Sequence, residues 1–158
     1  MLFRSLDELR FTQLTRLKET IAYMCARNDF HRERFEAAGI SAKDVRSLDD
    51  LKRLPTMDKR DFRQHYPLGL SCVPKQAILE MHMSSGSTDA PVVMPYTQAD
   101  LQLWADCMAR CLRMAGAEPA DVIQITPSFG LFNGGFGFYH CAEELGLFVL
   151  PTGAGNTH

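Results

Sequence analysis

The sequence predicts an α/β protein in which an N-terminal helical layer precedes a mixed, partly parallel sheet with crossover helices. Three patterns indicate this fold class. Apolar residues recur at helical spacing over residues 5–38, and two short apolar runs flank a polar loop at residues 84–91. Residues 121–151 then read as strand, helix and strand, the order of a parallel unit. We therefore expect a helical region over residues 1–72 and an α/β region over residues 73–158.

The helical region is punctuated by residues that start and stop helices. The long amphipathic pattern breaks near Asn28, and a second helix ends at Gly39. Ser47 is placed to begin a short turn, and the sequence around Asp58 looks like the capped start of a third helix. Residues 66–75 carry proline and glycine and form a linker.

The second half alternates strands and helices. Thr97 and Asp100 form a capping pair for a helix that runs to Ala115, with an apolar stripe of Leu101, Trp104, Met108, Cys111, Leu112 and Ala115. A later helix ends at Gly146. The expected strands cover residues 77–83, 92–96, 121–126 and 147–151.

Composition excludes several classes of protein. The chain has 158 residues, 46% of them hydrophobic and 23% charged, and a net charge of -2, so neither nucleic acid nor an anionic membrane is an expected partner. We expect a cytoplasmic protein without a membrane span.

Five cysteines without a CxxC spacing indicate reduced core thiols rather than a metal site. The five histidines are scattered without the company of a catalytic triad, so we expect structural roles for them.

The loop between the first two strands is the strongest candidate for a binding site. It offers hydroxyl groups and a glycine that leaves the backbone open to a ligand, at Ser84, Ser85, Gly86, Ser87 and Thr88. Successive N–H groups in such a turn form a cradle for phosphate. The same residue types also make ordinary tight turns, and composition alone favours the turn.

A second candidate site follows the strand at residues 121–126. Residues 127–136 are rich in glycine and phenylalanine and lie at the carboxyl end of a parallel strand, where open α/β sheets bind ligands. The N–H groups of the next helix favour an anion such as a carboxylate there. Alternatively the phenylalanines are core residues, and for Phe132 we favour that interpretation.

The first loop carries a resemblance to a known family. Residues 82–91 read His-Met-Ser-Ser-Gly-Ser-Thr-Asp-Ala-Pro, and Val92-Val93 and Tyr96-Thr97 follow. This segment resembles the phosphate-binding motif of the phenylacetate-CoA ligase family of adenylate-forming enzymes. Similar residues recur at the family's positions in other segments, so that the resemblance covers nearly the whole chain: residues 23–39, 47–54, 59–62, 66–70, 104–106 and 130–135.

The resemblance implies a fold, a reaction and site residues. The fold is a fragment of the large N-terminal domain of an adenylate-forming enzyme, and the cofactors of the full-length family are ATP, Mg²⁺ and CoA. Ser84 to Thr88 fall on the nucleotide phosphate loop. The acyl pocket falls on Phe129, Gly134, Gly135 and Phe136; since Phe129 stands where the family usually has tyrosine, we expect a more apolar pocket that prefers an unsubstituted aryl or alkyl acid.

Two departures from the family change what we expect of this chain. Asp89-Ala90 stands where the family carries Gly-Lys, which replaces a cation by a carboxylate in a loop that receives a triphosphate. At an effective dielectric constant of about 20, one such contact near 4 Å costs on the order of 4 kcal/mol before screening, so we expect weak ATP binding or none. Residues 153–158 also match a glycine-rich turn that lies only about a third of the way along the ligases.

Two functions therefore follow as hypotheses. The chain is the N-terminal part of an ATP-dependent ligase for an aryl or acyl acid, with a second chain supplying the rest, and no residue here is assigned a catalytic role. Alternatively it is a truncated, catalytically inactive relic or an interaction subunit that keeps only the fold. In either case we expect an exposed sheet edge and apolar face, and hence a homodimer or larger oligomer of the isolated chain.

Overall fold

A computed structural model describes residues 5–84, 91–131 and 133–155 and divides into two compact units, Met1–Val73 and Pro74–His158. The α/β fold class is confirmed. The helices are α1 (Leu6–Arg27), α2 (Asp29–Ala37), α3 (Lys59–Gln64), α4 (Gln98–Met114) and α5 (Asn133–Leu145), with short 3-10 helices at Leu48–Arg53 and Lys75–Ala77. The strands are β1 (Ile78–Met83), β2 (Val93–Thr97), β3 (Val122–Gln124) and β4 (Phe148–Leu150).

In the first unit, the helices start and end where the sequence predicts. The Ser5 side chain caps α1 by accepting a hydrogen bond from the backbone N–H of Glu8 at 3.1 Å. Asn28 breaks the helix with an extended backbone, and its side-chain amide donates to the carbonyls of Gly69 and Ser71 at 2.9 and 3.0 Å. Gly39 follows α2 with φ +63°, a conformation that favours glycine. The predicted break and stop are therefore confirmed.

The core of the first unit forms where α1, α2 and the following loop meet. Its buried residues are Ile21, Phe35 and Val45, and half-buried apolar side chains surround them: Leu14, Leu17, Met24, Cys25, Ile40, Ala42 and Leu54. The predicted caps of the short helices are both present, as capping boxes begun by Ser47 and by Asp58. The carboxylates of Asp50 and Asp58 accept hydrogen bonds from backbone N–H groups at the starts of these helices.

In the second unit, β1 and β2 form an antiparallel pair, and β2 leads directly into α4. Thr97 and Asp100 form the predicted capping box. The buried face of α4 consists of Leu101, Ala105 and Ala109, so the predicted stripe is only partly right. Small residues are buried here because α4 packs closely against α5, with residues four apart along the same face.

The second sheet is the predicted parallel unit, in which β3 and β4 pair with α5 between them in sequence. Gly146 ends α5 with φ +70°. Ala109, Cys141 and Leu145 form the core between α4 and α5. On the opposite side of the sheet, Val122 and Phe148 are adjacent in register and remain 61% and 60% exposed.

The prediction of core thiols was wrong for two cysteines of α4. Cys107 and Cys111 are exposed, and only Cys141, on α5, is fully buried, while Cys25 and Cys72 are half-buried. The helix buries its Leu101–Ala109 face instead, which turns the cysteine face to solvent. Among the described residues, no helix has the length and apolar character that a bilayer span requires.

Candidate binding site at the ends of β1 and α5

The mouth of the predicted phosphate loop is closed by a pair of hydrogen bonds. The N–H of Ser84 donates to the carbonyl of Val92, and the N–H of Val92 donates to the Ser84 hydroxyl oxygen, both at 3.0 Å. Ser84 is exposed, and its hydroxyl proton stays available to a ligand because the oxygen acts as the acceptor. The other four residues predicted for this site, Ser85, Gly86, Ser87 and Thr88, lie outside the described residues.

The second predicted loop meets the end of β1. The N–H of Met83 donates to the carbonyl of Leu131 at 2.7 Å. Burial raises the pKa of Tyr96, the nearby Asp100 carboxylate raises it further, and a side-chain hydrogen bond with Asn133 opposes the shift. These contacts connect both strands of the hairpin to the start of α5. The described end of the first stretch, at Met83 and Ser84, therefore lies beside the second stretch at Leu131.

The residues predicted for the acyl pocket lie at this junction. The rings of Phe129 and Phe136 meet edge to face with centroids 5.5 Å apart. A Cβ on Gly135 would lie 2.8 Å from the carbonyl oxygen of Ser128 and 3.1 Å from the Phe129 ring, so only glycine allows this approach. Gly134 is exposed beside Pro127.

The secondary structure at this junction differs from the prediction in one respect. The helix begins at Asn133, so Gly134, Gly135 and Phe136 form its first turn instead of extending the loop. Glycines usually weaken a helix, which is why the pattern indicated a loop. Here they allow the helix to pack against residues 128–129, and that packing decides the start. The side-chain oxygen of Asn133 is buried without a hydrogen-bond partner among the described residues.

Behind this junction lies a cluster of aromatic rings centred on His82. The His82 ring is buried and meets the rings of Tyr96, Trp104 and Phe136 edge to face, with centroid distances of 5.4, 5.6 and 5.5 Å. Trp104 stacks on Tyr96 at 5.3 Å and approaches Gly137, where a Cβ would lie 2.6 Å from the indole. Strand β1, strand β2, α4 and α5 each contribute to this cluster, which makes a rigid support for the loops above it.

Two of the histidines, for which the sequence predicts structural roles, contact the same carboxylate. The carboxylate of Glu80 contacts Nε2 of His82 at 3.0 Å and Nε2 of His140 at 2.9 Å. Burial alone would raise the pKa of Glu80, but the hydrogen bonds and charges of the two imidazoles outweigh it and lower that pKa. The i, i+2 spacing of Glu80 and His82 on a strand could have indicated a shared face, whereas His140 is 58 or more residues away in sequence.

A groove that the sequence did not indicate borders this contact. It has a volume of about 520 Å³ and opens between β1, α4 and α5. The lining is mixed polar and apolar: Leu79, Glu80, Gln98, Leu101, Gln102, Ala105, His140, Glu143 and Glu144. Across residues 5–84, 91–131 and 133–155, no three histidine, cysteine or acidic side chains are grouped to hold a metal ion.

Comparison with known proteins relates the chain to one class of enzyme. No protein-family model matches it. It is 41% identical to the phenylacetate-coenzyme A ligase of Escherichia coli over 153 residues, which cover 97% of this chain and 35% of that enzyme. It is 42% identical to the enzyme of the same name from Thermus thermophilus over 151 residues, 96% of this chain and 34% of the relative.

Solved structures give the same result for the fold. An open conformation of 2-hydroxyisobutyryl-CoA ligase, crystallised with 2-HIB-AMP and CoA, matches with a TM-score of 0.88 and 30% identity, over 98% of this chain and 36% of that one. The same ligase in its thioesterification state matches equally well. The chain thus spans about a third of the length of the relatives it matches. Sequence and fold together confirm that this chain is similar to the phenylacetate-CoA ligases and corresponds to an N-terminal α/β part of such an adenylate-forming enzyme.

Proposed function

We propose that this chain supplies the phosphate loop and part of the acyl pocket of an ATP-dependent ligase that joins an aryl acid, of the phenylacetate type, to coenzyme A. The observation that carries the proposal is the hydrogen bond from Met83 to Leu131, which brings the mouth of one candidate loop against the other. An acid carboxylate and the phosphates of a nucleotide must meet for an acyl adenylate to form. A site for each on adjoining loops supports that chemistry.

Hydroxyl groups at and near the loop mouth support phosphate binding. Ser84 offers a hydroxyl proton at the exposed mouth, and Ser85, Gly86, Ser87 and Thr88 supply further hydroxyls and an open backbone by resemblance to the family. Bound ATP would transfer its adenylyl group to the acid with release of pyrophosphate, and the thiol of CoA would then take the acyl group with release of AMP. Mg²⁺ and CoA are cofactors implied by the relatives, and we assign no residue of this chain to either.

The acyl pocket is proposed for the ring pair at the start of α5. Phe129 and Phe136 present apolar surfaces, and the exposed Gly134 leaves the backbone of the first helical turn open. Gly135 lets that turn pack closely against Ser128 and Phe129. The buried, unpaired oxygen of Asn133 is an acceptor that a bound group could satisfy. A pocket without a phenol favours an unsubstituted aryl acid over a hydroxylated one.

The partner of this chain is proposed to be the polypeptide that corresponds to the remaining two thirds of the relatives. Parallel sheets are normally covered on both faces, yet Val122, Phe148 and Leu150 leave one face of the β3–β4 pair largely exposed. A contiguous apolar face of this kind marks an interface. Alternatively, a second copy of this chain covers the same face, and the chain forms a homodimer. A cytoplasmic location is part of the same proposal.

The proposal is tested by a pyrophosphate-release assay with phenylacetate, ATP and Mg²⁺. The chain is assayed alone and together with the part of the Escherichia coli relative that it does not match, made as a separate polypeptide. We expect release only when both are present, and none with a Phe148→Lys variant whose charge blocks the face. Light scattering of the same samples shows whether the second polypeptide or a second copy of this chain covers the exposed face. A homodimer that excludes the second polypeptide would contradict the proposed partner.

The second candidate is an inactive relic or interaction subunit, and the Asp89-Ala90 pair favours it. If the two polypeptides associate but release no pyrophosphate, this second candidate replaces the ligase proposal.

A further inference from the structure

Glu80 contacts two imidazoles, one on its own strand and one on α5. It lies on β1 beside His82, and across the unit it contacts His140 of α5. The three side chains are 26%, 3% and 19% exposed, so the group is largely removed from water. A charged hydrogen bond is stronger in such a place than at the surface.

The hydrogen bond to Glu80 decides the tautomer of the His82 ring. An ionised carboxylate only accepts hydrogen bonds, so Nε2 of His82 must carry a proton. The contact to His140 is close but less well aligned than the contact to His82. In a neutral ring the remaining nitrogen, Nδ1, then bears a lone pair, and in His82 this atom is buried without a partner among the described residues. A proton on that atom would be a buried donor with nothing to receive it.

The position of His82 connects this group to the candidate site. His82 is followed by Met83, which donates to Leu131, and by Ser84, which closes the loop mouth against Val92. The His82 ring also packs on Phe136, at the start of α5. The imidazole therefore lies next to the ends of both candidate loops, at Met83 and at Phe136.

We propose that Glu80 is a positioning residue: by contacting His82 on its own strand and His140 on α5 at once, it fixes the end of β1, at Ser84, against the start of α5, at Phe136. The functional part of this inference rests on the proposed function. The positioning itself is a property of the 158-residue chain and is measured without any ligand.

The test uses the whole chain and NMR, with three measurements on each variant. The imidazole nitrogen shifts report the tautomer, hydrogen exchange of the Met83 amide reports the contact with Leu131, and titration with ATP and with phenylacetate reports binding. Glu80→Gln is nearly the same size but has one acceptor oxygen where Glu80 has two. Glu143→Gln removes a carboxylate from α5 that lines the same groove and is the matched control.

In the unmodified chain both rings should be protonated at Nε2. In Glu80→Gln, His82 should keep that tautomer because its Nδ1 has no partner, and His140 should change to the Nδ1-protonated form. Exchange of the Met83 amide should become about tenfold faster or more, as expected for the loss of a buried charged hydrogen bond. Glu143→Gln should leave both measurements unchanged.

A second pair of variants keeps the test decisive if Glu80→Gln does not fold. His140→Leu removes one donor from a half-buried site, and His140→Gln restores an N–H donor there. Faster Met83 exchange in His140→Leu with recovery in His140→Gln supports the proposal, and unchanged exchange in all folded variants overturns it. If these shifts occur but the chain mixed with the second polypeptide releases no pyrophosphate, the proposed function fails and the positioning role of Glu80 stands.

Discussion

Gly137 lies on α5 directly against the indole of Trp104, and this contact predicts the result of a single substitution. In Gly137→Ala the new Cβ would lie 2.6 Å from Cζ2 of a ring that is held by its stacking on Tyr96. Overpacking of this kind costs about 1–3 kcal/mol, which exceeds the gain in helix propensity of about 1 kcal/mol. We expect a lower free energy of unfolding in urea. Gly130→Ala, whose Cβ would lie 3.5 Å from the Ser128 hydroxyl, is the control, and equal stability of the two variants would refute the packing argument.

Asp89 and Ala90 determine, in our hypothesis, how well the chain binds ATP. The variant Asp89→Gly with Ala90→Lys removes a carboxylate and adds a cation in the candidate phosphate loop. Because exposed charge pairs are screened, we expect about a tenfold gain in affinity rather than the full Coulomb value. Calorimetric titration with ATP measures it, with adenosine as the uncharged control ligand. Micromolar binding of ATP by the unmodified chain would contradict the hypothesis.

At the scale of elements, the start of α3 predicts a dependence of stability on pH. Hydrogen bonds from the Arg60 side chain and backbone N–H lower the pKa of Asp58 to about 2, from 3.8. A lowered folded-state pKa means that the cap stabilises the helix fully above pH 3.8 and loses this effect as the pH falls toward 2. Asp58→Asn keeps a capping oxygen that does not titrate.

We therefore expect the unmodified chain to lose more stability than Asp58→Asn between pH 4 and pH 2. Urea unfolding followed by circular dichroism at each pH gives the two slopes. Identical slopes would show that Asp58 has the same pKa in the folded and unfolded chain.

The elements were predictable where local chemistry decides them. Ser47, Asp58 and Thr97 are each followed by a capping partner within three residues. Gly39 and Gly146 end helices because they adopt a positive φ, so all these positions can be predicted from the sequence. The start of α5 and the buried face of α4 were not, because packing between α4 and α5 decides both. The same limit explains the candidate site: the two loops were found, but the contact of Glu80 with His140 depends on tertiary structure.

At the scale of the whole molecule, the division into two units predicts independent folding. The first unit has its own core of Ile21, Phe35 and Val45, and it contains both hydrogen-bond acceptors of the Asn28 side chain. The boundary at residue 72 remains a prediction from the sequence. We expect a polypeptide of residues 1–73 to be helical and to unfold cooperatively on heating, as judged by circular dichroism. An Ile21→Ala variant should lower its midpoint, since large-to-small core changes cost about 2–5 kcal/mol. A non-cooperative melt of the parent polypeptide would show that the unit depends on the rest of the chain.

Trp104 is the single tryptophan of the chain, and it lies with its ring centroid 5.6 Å from that of His82 and 6.0 Å from that of His140. The intrinsic tryptophan fluorescence of the protein therefore originates where β1, β2, α4 and α5 converge. The tryptophan emission of the unlabelled chain is thus an optical probe of any ligand that disturbs the junction.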